Sequence, residues 1–565
     1  MKKNHQRLLV AMLLFTAFPA LAQVSPDAGS VRQEIEKNRS DAEQQKKTPP
    51  EIHGTTEESS RAIKGPQVTV TDFHFTGNSL LTTEQLNSAV AAYVNRPLDF
   101  SELQKAAVAV AEAYRKAGWI VRAFLPVQSI GNGAVNITVV EAMYGQTRLE
   151  GEPPTHITFE RLESIVAAHQ QPDAPLNSNR LDRALLLISD LPGISTAANL
   201  AAGKRERETD LVLRVNDDSM FSGNVTIDNT GSRFTGDVRA SATVFANSLF
   251  HVGDQISTTY LHTQGINYAQ LSGTAPIGSD GWRVGPHYSY LKYNLVAKEF
   301  SALDIHGTSS SLGLDASYPL IRARSKNLYF SLALDNSRFN NLAGTITTTK
   351  YKVSTLELGL KGHRFDGFGG GGINSAMLNV VTGKADLGGS PNEAADKATT
   401  KVNGGFSKLR YFLSRQQHLT DSTSLYVGVT GQIATKNLDS SEKFYLGGSS
   451  GLRAYPASEA GGDQGIIVNV EGRMRLPRNF SLTGFYDNGR ITVNHDNNFT
   501  GAASKNNYQL QGVGVSVGWV SDFGLSVKAT WAHRLGDNPH ATASGMDQDG
   551  TLKKNRIWLQ ASMSF

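Results

Sequence analysis

The sequence predicts a mainly β fold: a 16-stranded antiparallel transmembrane β-barrel, preceded by two small α/β units and an N-terminal helix. Three observations lead there. From about Met220 the chain runs as a long series of alternating segments. In its last ten residues, Ile557, Leu559, Ala561, Met563 and Phe565 share one face, and Arg556, Trp558, Gln560, Ser562 and Ser564 share the other. Side chains alternate with period 2 along a strand, so one apolar and one mostly polar face fits lipid outside and water inside. Hydrophobic content is 39%, too low for a helical membrane protein but sufficient when only one strand face meets lipid. Finally, the N-terminus carries an export signal, so any membrane insertion must use strands.

That signal occupies residues 1–22. Lys2, Lys3 and Arg7 supply the positive region, residues 8–18 the apolar run, and Ala20-Leu21-Ala22 the cleavage site. The run falls well short of the ~20 residues that span a bilayer. Residues 23–45 favour helix, with Ser30 and Gln33 spaced as a capping box. Val31 and Ile35 are almost its only apolar residues, so the helix is either a solvated tail or a filler of a polar cavity, a plug. Residues 46–66 are a polar, proline-containing linker.

A β-α-α-β-β unit is then repeated, over 67–142 and 143–217. In the first copy residues 68–75 alternate as a strand, and a helix starts at Thr82 with Gln85 completing its capping box. A second helix, with Ser101 and Gln104 at its start, buries Leu103, Ala107, Val110, Ala111 and Tyr114 and ends at Gly118. Strands follow at 119–126 and 134–140. The second copy has a strand near 145–150, helices at 159–169 and 178–191, and strands at 196–202 and 209–215, with Leu181, Leu185 and Ile188 as the second helix's stripe. From 218 to 565 about sixteen strand-like segments follow, the even number expected of a single-chain bacterial barrel.

Composition excludes several chemistries. The formal charge of +4 is mild, and no basic stripe is interleaved with aromatics, so no nucleic-acid partner is expected. Without cysteine there is no disulfide, thiolate metal site or cysteine nucleophile. The glycine run 369–372 continues as Ile373-Asn374 rather than Lys-Ser/Thr, which fails the phosphate-loop pattern. The 14 histidines show no metal-binding spacing, and no G-x-S-x-G elbow occurs. No cofactor, metal or enzymatic activity is expected.

The longest loop of the barrel, about 437–464, contains FYLGGSSGLRAYP at 444–456, and the strands after it contain FYDNG at 485–489. With the signal peptide, polar helix, tandem units and barrel, these motifs resemble the TpsB transporters of two-partner secretion, or hemolysin activator/secretion proteins, within the BamA-like superfamily. The loop matches that family's F-Y-x-G-G-x-x-(S/G)-(V/L)-R-G-(Y/F), except that Ala454 stands where glycine is usual, and alanine resists φ > 0. The tandem units resemble POTRA domains, POTRA 1 over 67–142 and POTRA 2 over 143–217.

The resemblance implies that the loop folds back into the barrel and that Arg453 and Tyr455 anchor it to the wall motif Phe485, Asp487 and Gly489. Alternation agrees: Asp487 and Glu471 point inward from adjacent segments, so Asp487, with Glu471 as the alternative partner, can pair the Arg453 fork. The implied function is an outer-membrane pore that secretes a large exoprotein of hemolysin, adhesin or contact-dependent toxin type. An assembly factor that inserts other proteins is the alternative; two POTRA units are fewer than such factors usually carry. The exoprotein's expected docking surface is a POTRA edge strand at 119–127, with Trp119, Val121, Ala123 and Leu125 on one face, since Pro126 suits an edge. Expected further partners are outer-membrane lipids and, through the C-terminal Phe565, the barrel assembly machinery, with the transporter itself a monomer.

Overall fold

The alternating segments close on themselves. In the computed structural model, which describes residues 25–45, 67–130, 132–542 and 544–565, sixteen antiparallel strands form a closed barrel in chain order. Its first strand, Phe221–Asp228, pairs with its last, Asn555–Ser564, so the sheet has no open edge. Leu312, Leu314, Leu358, Leu360, Val515 and Val517, two residues apart within their strands, are exposed on the outer face as the lipid-facing set. The expected signal peptide and the linker 46–66 lie outside the described residues.

Helix α1, Ala28–Gln45, runs inside the barrel. Its cap is Asp27, not Ser30: the Asp27 carboxylate accepts from the Ser30 N–H at 2.8 Å, and Ser30 Oγ accepts from the Asp27 N–H at 3.0 Å. An aspartate three residues upstream completes the same reciprocal box one turn earlier. Nor is the helix without a core. Ala28, Val31 and Ile35 lie on one stripe and pack with inward-facing Tyr268, Tyr293, Phe339 and Tyr351 of the barrel wall. Polar contacts complete the seat. The Ala28 N–H donates to Asn341 Oδ1 at 2.9 Å, Arg32 donates to Ser337 of the wall, and Lys37 donates to the Tyr445 carbonyl at 3.0 Å.

POTRA 1 contains β1 Val68–Val70, β2 Asp72–Thr76, α2 Thr83–Val90, β3 Arg96–Leu98, α3 Phe100–Lys116, β4 Val121–Phe124 and β5 Ala134–Glu141. The capping box of α2 forms between Thr82 and Gln85 as expected. The single strand expected at 68–75 is broken at Thr71, and β1 pairs instead with β3, which alternation did not announce. Helix α3 starts from Asp99 with Glu102, two residues before the expected Ser101. Its buried stripe takes Ala106 in place of Ala111. The sheet order β2-β5-β4 leaves β4 at an edge.

POTRA 2 repeats the plan with β6 Met143–Leu149, α4 Phe159–His169, α5 Ser178–Ser189, β7 Ile194–Ala202 and β8 Glu208–Asp217. Helix α5 buries Leu181, Ala184, Leu187 and Ile188, with Leu185 only partly covered.

The two units are joined through main chain. Ile120 N–H donates to the Leu176 carbonyl at 3.1 Å, and Leu176 N–H to the Ala142 carbonyl at 2.8 Å. POTRA 2 is fastened in turn to the barrel's turns on that side. Arg322 forks onto Asp190 with both bonds at 2.8 Å, Arg324 meets Asp182 at 2.9 Å, and Arg161 donates to the Gly278 carbonyl at 2.6 Å.

Candidate functional site

Between the eleventh barrel strand, Thr423–Ala434, and the twelfth, Gln464–Leu476, the chain turns back into the lumen. The returning loop builds its own apolar body: Leu446, Leu452, Ala454 and Tyr455 are fully buried, packed with Phe485, Ile491 and Leu510 of the wall. Two-residue pieces at Phe444–Tyr445 and Gly461–Gly462 pair with each other and close its neck. Burying a loop strands its main-chain polar groups unless partners are supplied, and at the tip those partners come from the wall.

Arg453 is held on every side. Its Nε and Nη2 donate to the two oxygens of Asp487 at 2.9 and 2.6 Å, a bidentate fork, while Nη1 donates to Glu471 Oε1 at 2.8 Å. Asp487 and Glu471 are thus simultaneous partners rather than alternatives. In the register of the twelfth and thirteenth (Phe480–Thr492) strands Asp487 faces Asn469, and Glu471 sits one inward position further along. The guanidinium presents five donors in a plane, enough to span both. Asn469 supplies a further donor to Asp487 at 2.7 Å, and Arg473 neutralises the far oxygen of Glu471 at 2.7 Å. The guanidinium carbon lies 3.5 Å from the centroid of the Phe485 ring, a cation–π contact. Burial pulls the Arg453 pKa down, but Asp487 and Glu471 outweigh it and hold the group charged.

The main chain of Arg453 is gripped as well. Its N–H donates to Asp487 Oδ2 at 3.1 Å, and its carbonyl accepts from Trp558 Nε1 at 2.8 Å. Tyr455 is fully buried, with the Arg534 guanidinium 4.6 Å from its ring centroid. Gly489 is where the wall makes room for the loop: a Cβ there would lie 2.8 Å from Leu452 Cδ1. Ala454 avoids the strain its substitution for glycine suggested, since it does not adopt positive φ. Its methyl lies against Gly512 of the fourteenth strand, Asn507–Val520, where a Cβ would come within 2.6 Å of Ala454 Cβ. Trp558, Asn469 and Gly512 escape a reading of motifs. Alternation marks Trp558 as inward, but nothing local in the sequence says what it meets.

The loop also touches helix α1. Ser458 Oγ donates to Glu34 at 2.8 Å, Gln33 donates to the Lys443 carbonyl, and Ser440 Oγ donates to Asp27 at 2.8 Å. Helix, loop and wall therefore form one continuous packing across the lumen.

The expected docking residues lie apart from this site, in POTRA 1. Trp119, Val121, Ala123 and Leu125 are partly covered and pack against the unit's own core. The side chains that β4 leaves open are Arg122 and Phe124, and Phe124 is 37% exposed.

Residues 207–519 match the family described as haemolysin secretion/activation protein ShlB/FhaC/HecB, and residues 68–142 match the ShlB-type POTRA domain. The chain is 27% identical over 98% of its length to the heme/hemopexin transporter protein HuxB of Haemophilus influenzae strain 86-028NP, covering 97% of that protein. It is 23% identical over 84% of its length to the outer membrane transporter CdiB of Dickeya dadantii strain 3937, covering 82% of it. In fold it resembles CdiB from Escherichia coli, with a TM-score of 0.71 at 20% identity, over 97% of this chain and 100% of that one. It also resembles BamA from Haemophilus ducreyi lacking POTRA domains 1–3, with a TM-score of 0.52 at 12% identity, over 88% and 100% of the two chains. The barrel is accordingly an outer-membrane barrel with its POTRA domains in the periplasm, and its work is the secretion of a partner exoprotein. The chain belongs to the haemolysin secretion/activation protein family, the TpsB transporters of two-partner secretion.

Proposed function

We propose that this transporter receives an unfolded exoprotein at the β4 edge of POTRA 1 and passes it through the barrel lumen once α1 has withdrawn. In the resting state α1 and the folded-back loop plug the pore, and Arg453 anchors the loop to Asp487 and Glu471. The observation that carries this reading is the filled lumen: α1 makes specific bonds to both wall and loop while two docking modules are fastened to one end of the barrel. A permanently filled pore would need no docking modules, and a docking module needs a lumen that opens.

Strand addition to β4 supplies main-chain affinity, and the outward Arg122 and Phe124 then face the incoming chain. The polar, proline-containing sequence 46–66, outside the described residues, joins α1 to POTRA 1. No step calls for a nucleotide, a metal or chemistry on the cargo. Phe565, whose ring is 63% exposed, lies on the outer face of the closing strand, where the assembly machinery reads it before the barrel closes.

The test is secretion in a host lacking both proteins, with the large β-helical exoprotein expected to be encoded beside this chain as cargo. The cargo should appear in the medium only when this chain is present. Cargo that stays periplasmic, while other barrels insert more efficiently in the presence of this chain, would point to an assembly factor instead.

A further inference from the structure

The barrel's closing seam is the least supported of its joints. The final strand, Asn555–Ser564, pairs with the first strand only from Gln560↔Asp228 to Ser564↔Asn224, and Phe565 then continues the ladder with Gly223 at 2.9 and 3.0 Å. On its other side the same strand pairs as far as His533↔Asn555. The stretch from Asn555 to Leu559 therefore has a strand neighbour on one side only.

Two contacts matter for the unpaired side of that stretch. The first is Asn229, just beyond the end of the first strand. Its amide Oδ1 accepts from Leu559 N–H at 2.7 Å, and its Nδ2 donates to the Ile557 carbonyl at 3.0 Å. The amide stands in for a missing piece of strand. The second is the loop, reached through Trp558 between those two residues. The Trp558 indole points into the lumen, is 8% exposed, and donates to the Arg453 carbonyl at 2.8 Å. Arg453 is the residue whose fork is fixed on Asp487 and Glu471 across the twelfth and thirteenth strands. One peptide group thus sits between the loop's anchor and the strand that closes the barrel.

We propose that Trp558 is a positioning residue that couples seating of the folded-back loop to pairing of the closing seam. With the loop seated, the indole is held inward and the Asn555–Leu559 stretch is presented to Asn229. With the loop unseated, the buried indole N–H loses its acceptor, and on the seam side the stretch keeps only Asn229, through its amide and its main-chain N–H to the Leu559 carbonyl at 3.2 Å. Coupling of this kind is reciprocal: loop seating favours seam pairing by the same factor by which seam pairing favours loop seating, so loosening the seam must also loosen the loop. The inference rests on the anchor geometry and not on the anchor's role in secretion, so a failed secretion test of Arg453 would leave it standing.

The test is hydrogen–deuterium exchange on the full chain in lipid nanodiscs, reading the seam peptide 555–565, the loop peptide 446–463 and a control strand, Ile346–Asp366. Trp558→Phe keeps a benzene ring but removes the indole N–H together with the pyrrole half of the ring system. It should speed exchange of both seam and loop peptides by at least roughly 3- to 10-fold, the worth of the buried hydrogen bond alone, with the control unchanged. Asn229→Ala touches neither loop nor indole, yet should speed the loop peptide as well as the seam. A general loss of packing would move the control strand too. The proposal is overturned if Asn229→Ala speeds only the seam, if Trp558→Phe speeds only the loop, or if neither peptide responds. Should Trp558→Phe fail to give a heat-modifiable barrel, the response of the loop peptide to Asn229→Ala decides alone.

Discussion

Removing the Arg453 side chain is the sharpest perturbation of the loop seat. Arg453→Ala deletes three charge-assisted bonds, two to Asp487 and one to Glu471. It leaves the Asp487 carboxylate, fully buried, with Asn469 and main-chain N–H as its donors. Breaking a buried pair from one side costs about 3–5 kcal/mol, because the surviving charge stays desolvated and unpaired. At about 1.4 kcal/mol per tenfold, the seating equilibrium of the loop shifts by roughly 10²- to 10⁴-fold. Asp487→Ala is milder, since Arg453 keeps Glu471, and should cost about 1.5–3 kcal/mol, the worth of hydrogen bonds to a charged group. Arg453→Lys should rescue poorly, because a point ammonium cannot span two carboxylates as the planar fork does. The assay is exoprotein released to the medium per heat-modifiable barrel in the outer membrane. Each single variant should impair release with the barrel assembled, and Arg453→Ala/Asp487→Ala should be no worse than Arg453→Ala alone, because the two residues act as one unit. Normal release from Arg453→Ala, or single defects that simply multiply in the double variant, would refute the anchoring role.

Deleting residues 26–45 should raise single-channel conductance in planar bilayers, and unchanged conductance would show that α1 does not restrict the open path. Phe124→Asp, at the β4 edge, should lower secretion with the barrel and POTRA 1 still folded; full secretion would move the docking surface elsewhere. Glu141 in POTRA 1 gives a pH test. Burial pushes its carboxyl up, but hydrogen bonds from Ser79, the Leu80 N–H and the Tyr114 hydroxyl outweigh this and hold it below the usual carboxylate range. A depressed carboxyl contributes stability that is complete above about pH 4.3, the ordinary glutamate value, and is lost as pH falls through the folded value. Tyr114→Phe removes one of those donors and raises the folded value toward the ordinary one, so thermal melts of the periplasmic region should show about 1–3 kcal/mol lost near neutrality and a smaller further loss on acidification, complete at a higher pH than in the parent.

The barrel was legible because its signal is repetitive: a period of 2 recurs in every strand, and one misjudged boundary does not disturb the count. Helix starts were legible only in part. Thr82 with Gln85 took the expected role, whereas Asp27 and Asp99, just upstream of Ser30 and Ser101, took the role expected of those serines. The inward positions of Asp487 and Glu471 could be read from alternation, but not that both would meet one arginine, since that depends on stagger between strands. The core under α1 was hidden for a related reason. Val31 and Ile35 look isolated in the sequence because their neighbours, Tyr268, Tyr293, Phe339 and Tyr351, come from strands far along the chain. Trp558 and Asn229 were hidden more deeply, because their partners are main-chain atoms that leave no trace in side-chain pattern.

The contact between Ala454 and Gly512 has a consequence for how loops and barrels of this kind can be exchanged. A methyl on the loop is accommodated by a hydrogen on the wall, and a second methyl would bring two carbons to 2.6 Å. A chimera that grafts this loop onto a barrel with a larger residue at the position of Gly512 would therefore arrive with a clash at its tip. The reverse graft, a glycine-bearing loop on this wall, would leave a gap of about one methyl, with a penalty near 1 kcal/mol. The two positions form a size code: along a lineage they should drift together, and a transplant should carry both or neither.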